Sequence, residues 1–395
     1  MSADADLCEA APSDEERLAR AALTRLAEPG DPALCRLVHD YDAASVLAAI
    51  RGGDDLGGAA GADWRSRLAG CDPRTDLERA QRCGARLVCP GDREWPKQLE
   101  VLADSEPVNR RGGVPVALWV IGALDVAAAS ARSAAVVGSR AASSYGEHVA
   151  GDLGAELAER GVSVVSGAAY GIDASAHRGA LAVGGTTLAV LACGVDMTYP
   201  VGHAALLRRV GEQGVVISEA PPGRPPSRLR FLSRNRLIAA LSLGTVVVEA
   251  ALRSGALNTV SWAQSVMRPV MGVPGPVTSP VSAGVHQLLR NGKAVVVTDA
   301  DEVVEEISPL GQGLAPPKSG ELRSRDGLAE RTQRVLEAVP VSRSGGVAGI
   351  AASAGMPVEA VLAALGELLL TGFVERSGSG WRVSESERRG TLPLR

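Results

Sequence analysis

Four times in this 395-residue chain a short apolar run ends on a turn of glycine and small polar residues. Ala134-Ala135-Val136-Val137 runs into Gly138-Ser139-Arg140, and Val162-Ser163-Val164-Val165 into Ser166-Gly167-Ala168-Ala169-Tyr170-Gly171. Leu188-Ala189-Val190-Leu191 runs into Cys193-Gly194-Val195-Asp196, and Val246-Val247-Val248 into Glu249 and then Ser254-Gly255. The stretches between these runs suit helices. That alternation predicts βαβ units and a parallel sheet covered on both faces. In such a sheet the loops at the strand C-termini line one crevice, with backbone N–H groups at helix N-termini, where anions are favoured. Taken together, the four turns predict a phosphate-binding surface built from backbone.

Bulk properties narrow the classes. Aromatic residues are 3% of the chain, so the core rests on Ala, Val and Leu. The formal net charge is −4, so any nucleic-acid site must be a local basic patch. The six cysteines (Cys8, Cys35, Cys71, Cys83, Cys89 and Cys193) include no CxxC pair, and no zinc site is expected. The opening residues are acidic and polar and no apolar run is long enough to cross a membrane. A reduced, cytoplasmic protein with no membrane partner is the expectation.

Periodicity divides the chain into a small N-terminal helical module (14–75), an α/β core (76–310), a linker rich in Pro, Gly and Ser (311–326) and a last domain (327–385). In the first module Pro29-Gly30-Asp31-Pro32 stops one helix, and Asp31 is placed to cap the next. A Gly-, Ala- and Asp-rich stretch (53–63) reads as a loop. Short strands around 86–89 and 117–121 lead into the core, and Trp95 and Trp119 read as packing residues. Helices of the core are expected to start near Ser143, Asp173, Gly202, Ser233, Gly255 and Ser282. The last domain reads as three helices (332–338, 347–354 and 357–370) and a Gly-tipped hairpin around 377–380, which resembles a winged helix. Its third helix has no Lys or Arg and carries Glu359 and Glu367. A helix that enters a DNA groove normally presents basic or amide side chains, so this one is expected to contact protein rather than duplex DNA.

Chemistry concentrates in the core. Between Ala220 and Val248 there is no Asp or Glu, but there are Arg224, Arg228, Arg230, Arg234 and Arg236. Arginines without a nearby carboxylate predict anion binding. Ser233 is expected to cap the helix that follows and to aim Arg234 and Arg236 at the crevice. Arg140 follows the first glycine turn, with Ser139 and Ser143 as hydroxyl donors, and Ser254, Gly255 and Thr259 serve a later helix. Asp173 reads as an N-cap, His177 as a hydrogen-bonded packing histidine and Asp196 as a loop brace. Tyr170, Met197 and Tyr199 lie in the crevice loops, where stacking on a base and core packing both remain open. No G-x-x-x-x-G-K-[ST], no G-x-G-x-x-G after a strand and no Ser/His/Asp or Cys/His arrangement is present. No cofactor is expected, and the pattern suits holding phosphates better than breaking bonds.

At these residues the chain resembles the DNA-processing protein A family (DprA, also called Smf). The resemblance runs in order through Gly138-Ser139-Arg140, Ser166-Gly167 to Gly171-Ile172-Asp173, Ala176-His177-Arg178-Gly179-Ala180-Leu181, Gly194-Val195-Asp196 and Tyr199-Pro200. It continues through Ile217-Ser218-Glu219, Ser233-Arg234-Asn235-Arg236-Leu237-Ile238, Val248-Glu249-Ala250, Ser254-Gly255-Ala256-Leu257, Val273-Pro274-Gly275 and Gly284. It implies an extended Rossmann-like core, with a SAM- or helix-hairpin-like module before it and a winged helix after it. It implies a non-catalytic protein that binds and protects single-stranded DNA, helps load the recombinase RecA, and works as a homodimer. The DNA-binding residues it implies here, joined to those read from the turns, are Gly138, Ser139, Arg140, Ser143, Ser166, Gly167, Tyr170, Gly171, Gly194, Met197, Arg234, Asn235, Arg236, Ser254 and Gly255. Arg140 is the chief phosphate contact and the turns at Ser166-Gly167 and Gly194 are backbone donors. The chain departs from the family at Tyr170, where many members have Arg, at Met197, where some have an aromatic residue, at His203, where Asn is frequent, and at Asn258, often Ile. Helices near Ala239-Ala240-Leu241 and Val260 are candidate dimer surfaces.

Two other readings compete. A Rossmann-type nucleoside monophosphate hydrolase of the lysine-decarboxylase-like group would carry a Pro-Gly-Gly-x-Gly-Thr-x-x-Glu loop, where this chain has Glu249-Ala250-Ala251-Leu252-Arg253-Ser254-Gly255. A transcription regulator would need a basic recognition helix in the last domain.

Overall fold

The computed structural model describes residues 11–54, 56, 59–318 and 325–389. Cys8, part of the expected linker (319–324) and the last six residues lie outside them. The chain divides into two compact units, one up to Ala315 and one from Pro316.

The first unit opens with α1 (Asp14–Leu26), α2 (Pro32–Asp40), α3 (Ala43–Gly52), α4 (Ala59–Leu68) and α5 (Pro73–Arg82). Side chains of Ser13, Asp31, Asp42 and Asp72 cap four of them by accepting from first-turn N–H groups. Leu23, Leu26, Leu34, Val46, Leu47, Ile50 and Trp64 form their shared core. The stretch read as a loop over 53–63 is helical from Ala59, because Trp64 anchors α4 in that core. These helices are also tied to the sheet domain. Arg25 pairs with Asp76 of α5, and its Nη2 donates to the Pro222 carbonyl at 2.9 Å.

The sheet is built from β1 (Ala85–Val88), β2 (Leu118–Ile121), β3 (Ser133–Val137), β4 (Ser163–Ser166), β5 (Thr187–Val190), β6 (Val215–Ser218), β7 (Thr245–Val247), β8 (Val270–Gly272) and β9 (Val295–Val296). Its order is β1-β2-β6-β5-β4-β3-β7-β8-β9. The seven strands from β6 to β9 in that order are parallel, and β1 and β2 join antiparallel at one edge. Between the strands lie α6 (Val126–Ala131), α7 (Ser144–Glu159), α8 (Ile172–Ala182), α9 (Ala204–Gln213), α10 (Arg228–Leu241), α11 (Ala256–Ser265) and α12 (Ala283–Arg290), with α13 (Ala300–Ile307) after β9. This is a Rossmann-like α/β architecture.

Because successive strand residues point to opposite faces, β3 serves two cores at once. Ala134 and Val136 pack with Leu153 and Leu157 of α7 and with Ile172 and Ala176 of α8. Ala135 and Val137 pack with Leu237 to Leu241 of α10 and with Val260 and Trp262 of α11. The residues offered as dimer surfaces, Ala239, Ala240, Leu241 and Val260, are therefore buried inside one chain. Helices α7 and α8 touch backbone to backbone, and a Cβ on Gly179 would sit 1.9 Å from the Gly151 carbonyl oxygen.

Two helix starts differ from the sequence expectation. Asp173 is not the cap of α8, since Gly171, at φ +74°, holds that position. Helix α10 begins earlier than Ser233. Its cap is Ser227, whose hydroxyl accepts from the Arg230 N–H at 3.2 Å, and Pro225-Pro226 set the break before it. Ser233 lies inside the helix and donates to the Leu229 carbonyl.

The second unit holds α14 (Glu330–Ala338), α15 (Val347–Ala354), α16 (Val358–Leu370), an antiparallel hairpin of β10 (Val374–Ser377) and β11 (Gly380–Val383), and α17 (Glu385–Arg388). Val335, Ile350, Val361, Leu365, Leu368, Phe373 and Trp381 form its core.

Candidate functional site

Strand order reverses at β3, which has β4 on one side and β7 on the other. In an open α/β sheet such a switch leaves a crevice at the strand C-termini. A cleft of about 830 Å³ lies there, lined by the turns after β3 and β7, the start of α10 and the first turn of α11. The turn after β4 contributes Ala169 and Asp173, and the segment after β5 contributes Tyr199.

The backbone donors of these turns are largely closed from within. Glu249, fully buried, accepts from the Ser143 N–H at 2.9 Å and the Ser143 hydroxyl at 2.5 Å, while its carbonyl takes the Ser139 N–H at 2.7 Å. Asp173 accepts from the Gly167 N–H at 3.2 Å and the Ala169 N–H at 3.4 Å. Burial pushes its carboxyl above the usual carboxylate range, with Arg234 and these N–H groups opposing. The Gly194 N–H donates to the Arg224 carbonyl at 2.9 Å, and Asp196 accepts from Gly223 at 2.8 Å. The expectation of backbone donors at Ser166-Gly167 and Gly194 and of a hydroxyl donor at Ser143 is thus corrected: internal carboxylates and carbonyls already accept from Gly167, Gly194 and Ser143. Ser166 is fully buried and donates to the Val136 carbonyl. Gly138 and Gly171 are close-packed turn residues. A Cβ on Gly138 would lie 2.6 Å from Ile172 Cγ1, and one on Gly171 2.3 Å from the Ser139 carbonyl oxygen.

The arginine run is corrected in part: four of its five arginines find carboxylate partners from elsewhere in the chain, and Arg228 has none among the described residues. Arg230 is held bidentate by Glu28 at 2.7 and 2.9 Å, and Arg224 lies 3.7 Å from the same carboxylate. Arg236, fully buried, is paired with Glu219 and donates to the Gly113 carbonyl, away from the cleft. Arg234 lines the cleft but is buried 3.9 Å from Asp173, and it donates to the carbonyls of Gly167 and Val190. Burial lowers its guanidinium to about 10, still charged at neutral pH. A Cβ on Gly167 would fall 1.9 Å from Arg234 Nη2, so only glycine fits under that guanidinium.

Three cleft arginines remain exposed with no ion-pair partner among the described residues: Arg140, Arg228 and Arg253. The one carboxylate on the cleft wall, Asp173, is engaged by Arg234, so these three charges are not offset locally. Asn235 faces the cleft and donates to Asn258 Oδ1 at 3.1 Å, beside Ser254 and Gly255 at the start of α11.

Aromatic rings accompany the charge. Phe231 lines the cleft with the Arg140 guanidinium 4.5 Å from its centroid, and Tyr199, 41% exposed, is tilted against it at 5.6 Å. Phe231 escaped the sequence reading, although it is one of only two phenylalanines and stands inside the arginine run. Tyr170, half exposed, lies edge-on to His203 at 4.6 Å. Met197, half-buried, packs against the cluster that includes Leu191, Cys193 and Val195 and does not line the cleft.

His177 is buried against Thr187, donating from Nδ1 at 2.6 Å to a hydroxyl that itself donates to the Val164 carbonyl. Its Nε2 has no partner, and burial lowers the ring to about 3, so it is neutral. Among the described residues no group of His, Cys, Asp and Glu could hold a metal ion, and no single helix is long and apolar enough to cross a membrane.

The fold and cleft define a Rossmann-like α/β protein with an arginine- and aromatic-lined cleft at its topological switch point. Residues 86–308 match the model of the family described as DNA recombination-mediator protein A. A Mycobacterium tuberculosis relative carrying the DprA name is 44% identical over 375 residues, 94% of this chain and 95% of its own length. The Escherichia coli protein Smf is 38% identical over 303 residues, 74% of this chain and 76% of its own. The X-ray structure of DNA processing protein A from Streptococcus pneumoniae superposes with a TM-score of 0.63 at 30% identity, covering 75% of this chain and 99% of that one. The chain belongs to the DNA recombination-mediator protein A (DprA/Smf) family.

Proposed function

We propose that this protein binds single-stranded DNA along the cleft without cutting or modifying it, and delivers the strand to a RecA-type recombinase in the cytoplasm. The observation that carries the reading is the set Arg140, Arg228 and Arg253, unpaired beside Phe231 and Tyr199. Arginines without carboxylates neutralise phosphates of any sequence, and aromatic faces stack on any base. Ser254, Gly255 and Asn235 extend the contact at the first turn of α11, whose N–H groups favour an anion. A binding role is further supported by Asp173, the one acid on the cleft wall, and by Glu249, fully buried against the Ser143 turn. Both are tied into hydrogen bonds with the protein itself, and neither is free to act as a base on a bound nucleotide.

The chain acts as a homodimer in this reading. Support comes from β9, which ends the sheet with one unpaired edge, and from Val295 and Val296, each about half exposed (48% and 51%) on opposite faces of it. An uncovered apolar edge strand favours pairing with another chain.

The test is fluorescence anisotropy with a labelled oligo-dT strand across a salt series, for wild type and Arg140→Ala. Log affinity should fall linearly with log salt, and the variant should bind more weakly with a slope shallower by about 0.7. Absence of binding by the wild-type protein at low salt, or release of free base from AMP, would overturn the reading.

A further inference from the structure

The aromatic residues of this chain are sharply divided. All five tryptophans and Phe373 are buried; of the aromatics that reach solvent, Tyr41 lies after α2 in the N-terminal helices, and Tyr145, Tyr170, Tyr199 and Phe231 lie at the C-terminal end of the parallel strands. Phe231 and Tyr199 belong to the cleft. Tyr170 does not line it, yet its neighbour Gly171 packs against the backbone carbonyls of Ser139 and Arg140, so the loop that carries the ring adjoins the turn that carries Arg140.

The ring is also held. His203 lies edge-on to it at 4.6 Å, and the hydroxyl is seated against Gly202, where an added Cβ would come within 2.9 Å. The loop that carries it is fixed from below. Asp173 takes the Gly167 and Ala169 N–H groups, and His203 Nδ1 donates to the carbonyl of Ala168 at 2.9 Å. Ala168 adopts φ +53°, a conformation that alanine keeps only where surrounding contacts enforce it. A half-exposed ring of fixed orientation, on a rigid loop that adjoins the Arg140 turn, is a stacking surface prepared in advance. The segment from Tyr199 to His203 joins it to the cleft aromatics, with Tyr199 against Phe231 at one end and His203 against Tyr170 at the other.

We propose that Tyr170 is a second base-stacking step outside the cleft, so that one strand lies over Phe231 and Tyr199, passes Arg140 and lays a further unpaired base on Tyr170. This rests on the single-strand reading above and deepens it: the ligand is recognised by its bases as well as by its phosphates, and over a footprint longer than the cleft.

The experiment measures anisotropy of two 12-nucleotide probes, oligo-dT and an abasic strand with the same phosphates, against the full-length protein and its Tyr170 variants. Wild type should prefer the oligo-dT probe. Tyr170→Ala should lose about ten-fold affinity for oligo-dT, little for the abasic strand, and keep the salt slope. Tyr170→Phe should bind as wild type, because stacking uses the ring and not the hydroxyl. Tyr170→Arg should recover affinity for both probes with a slope steeper by about 0.7, exchanging a base contact for a phosphate contact. A Tyr170→Ala protein with wild-type affinity and wild-type preference between probes overturns the inference, as does an equal loss on both probes. Failure of wild type to bind either probe, or of Arg140→Ala to weaken both, would instead overturn the single-strand reading itself.

Discussion

The carboxylate of Glu249 sits where a phosphate would at the N-terminus of α7, accepting from both the N–H and the hydroxyl of Ser143. Gly146 packs so closely on the same carboxylate that an added Cβ would collide with it. Backbone turns that look from sequence like phosphate cradles are countercharged from inside.

Replacing Glu249 tests this directly. Glu249→Ala removes a buried, fully bonded carboxylate and leaves the Ser143 donors unsatisfied, so it should destabilise by about 2–3 kcal/mol. Urea unfolding of wild type and variant measures it, and a variant of unchanged stability would contradict the role assigned to the pair.

Arg228 and Arg236 stand in one run of sequence but should behave oppositely. Arg228→Ala should leave the melting temperature unchanged and make the salt dependence of oligo-dT binding shallower by about 0.7. Arg236→Met strands Glu219 in the core and should cost about 3–5 kcal/mol in stability. Thermal melts and salt titrations on both variants separate the two roles.

His177 gives a pH signature. Its folded value, lowered by burial to about 3, lies below the unfolded value of 6.5. Between these limits the unfolded chain binds more protons, so the stabilising contribution is complete above pH 6.5 and is lost as pH falls toward 3. The slope approaches 1.4 kcal/mol per pH unit. Denaturant midpoints taken from pH 7 to pH 4.5 should show the decline, and His177→Gln should flatten that part of it.

The free edge of β9 makes a fourth prediction. Val295→Lys and Val296→Lys place charge on an uncovered strand, the means by which edges are kept from pairing. Sedimentation should shift each variant toward monomer, with the far-UV spectrum unchanged. A wild-type protein that is monomeric at all concentrations would sink the dimer reading.

The parallel core was legible because its strands are apolar on both faces and end on turn residues, a pattern with few alternatives. Asp31 as a helix cap and Trp119 as a core residue were legible for similar reasons: each is decided by neighbours in sequence. Of the arginine run only Arg228 met the expectation, because the partners of the other four lie outside the stretch that was read. Glu28 reaches Arg230 across 202 positions, Glu219 takes Arg236, and Asp173 takes Arg234. Helix α10 has no one-sided apolar stripe that would have separated its buried arginines from its exposed one, since nearly all of it is buried. Phe231 was missed because a lone aromatic in a basic run gives no periodic signal, and only the tilt of Tyr199 and the approach of Arg140 mark it.

The internal filling of the turns bears on how a bound strand is let go. A backbone cradle is rigid and releases its anion all at once. Arg140, Arg228 and Arg253 each end a long, rotatable stem, and the three rise from different elements. Phosphates gripped this way can be surrendered singly while the others hold. On the proposed single-strand reading, a polymer seated in the cleft would therefore be peeled off link by link, and an acceptor protein could take over one end before the other has left.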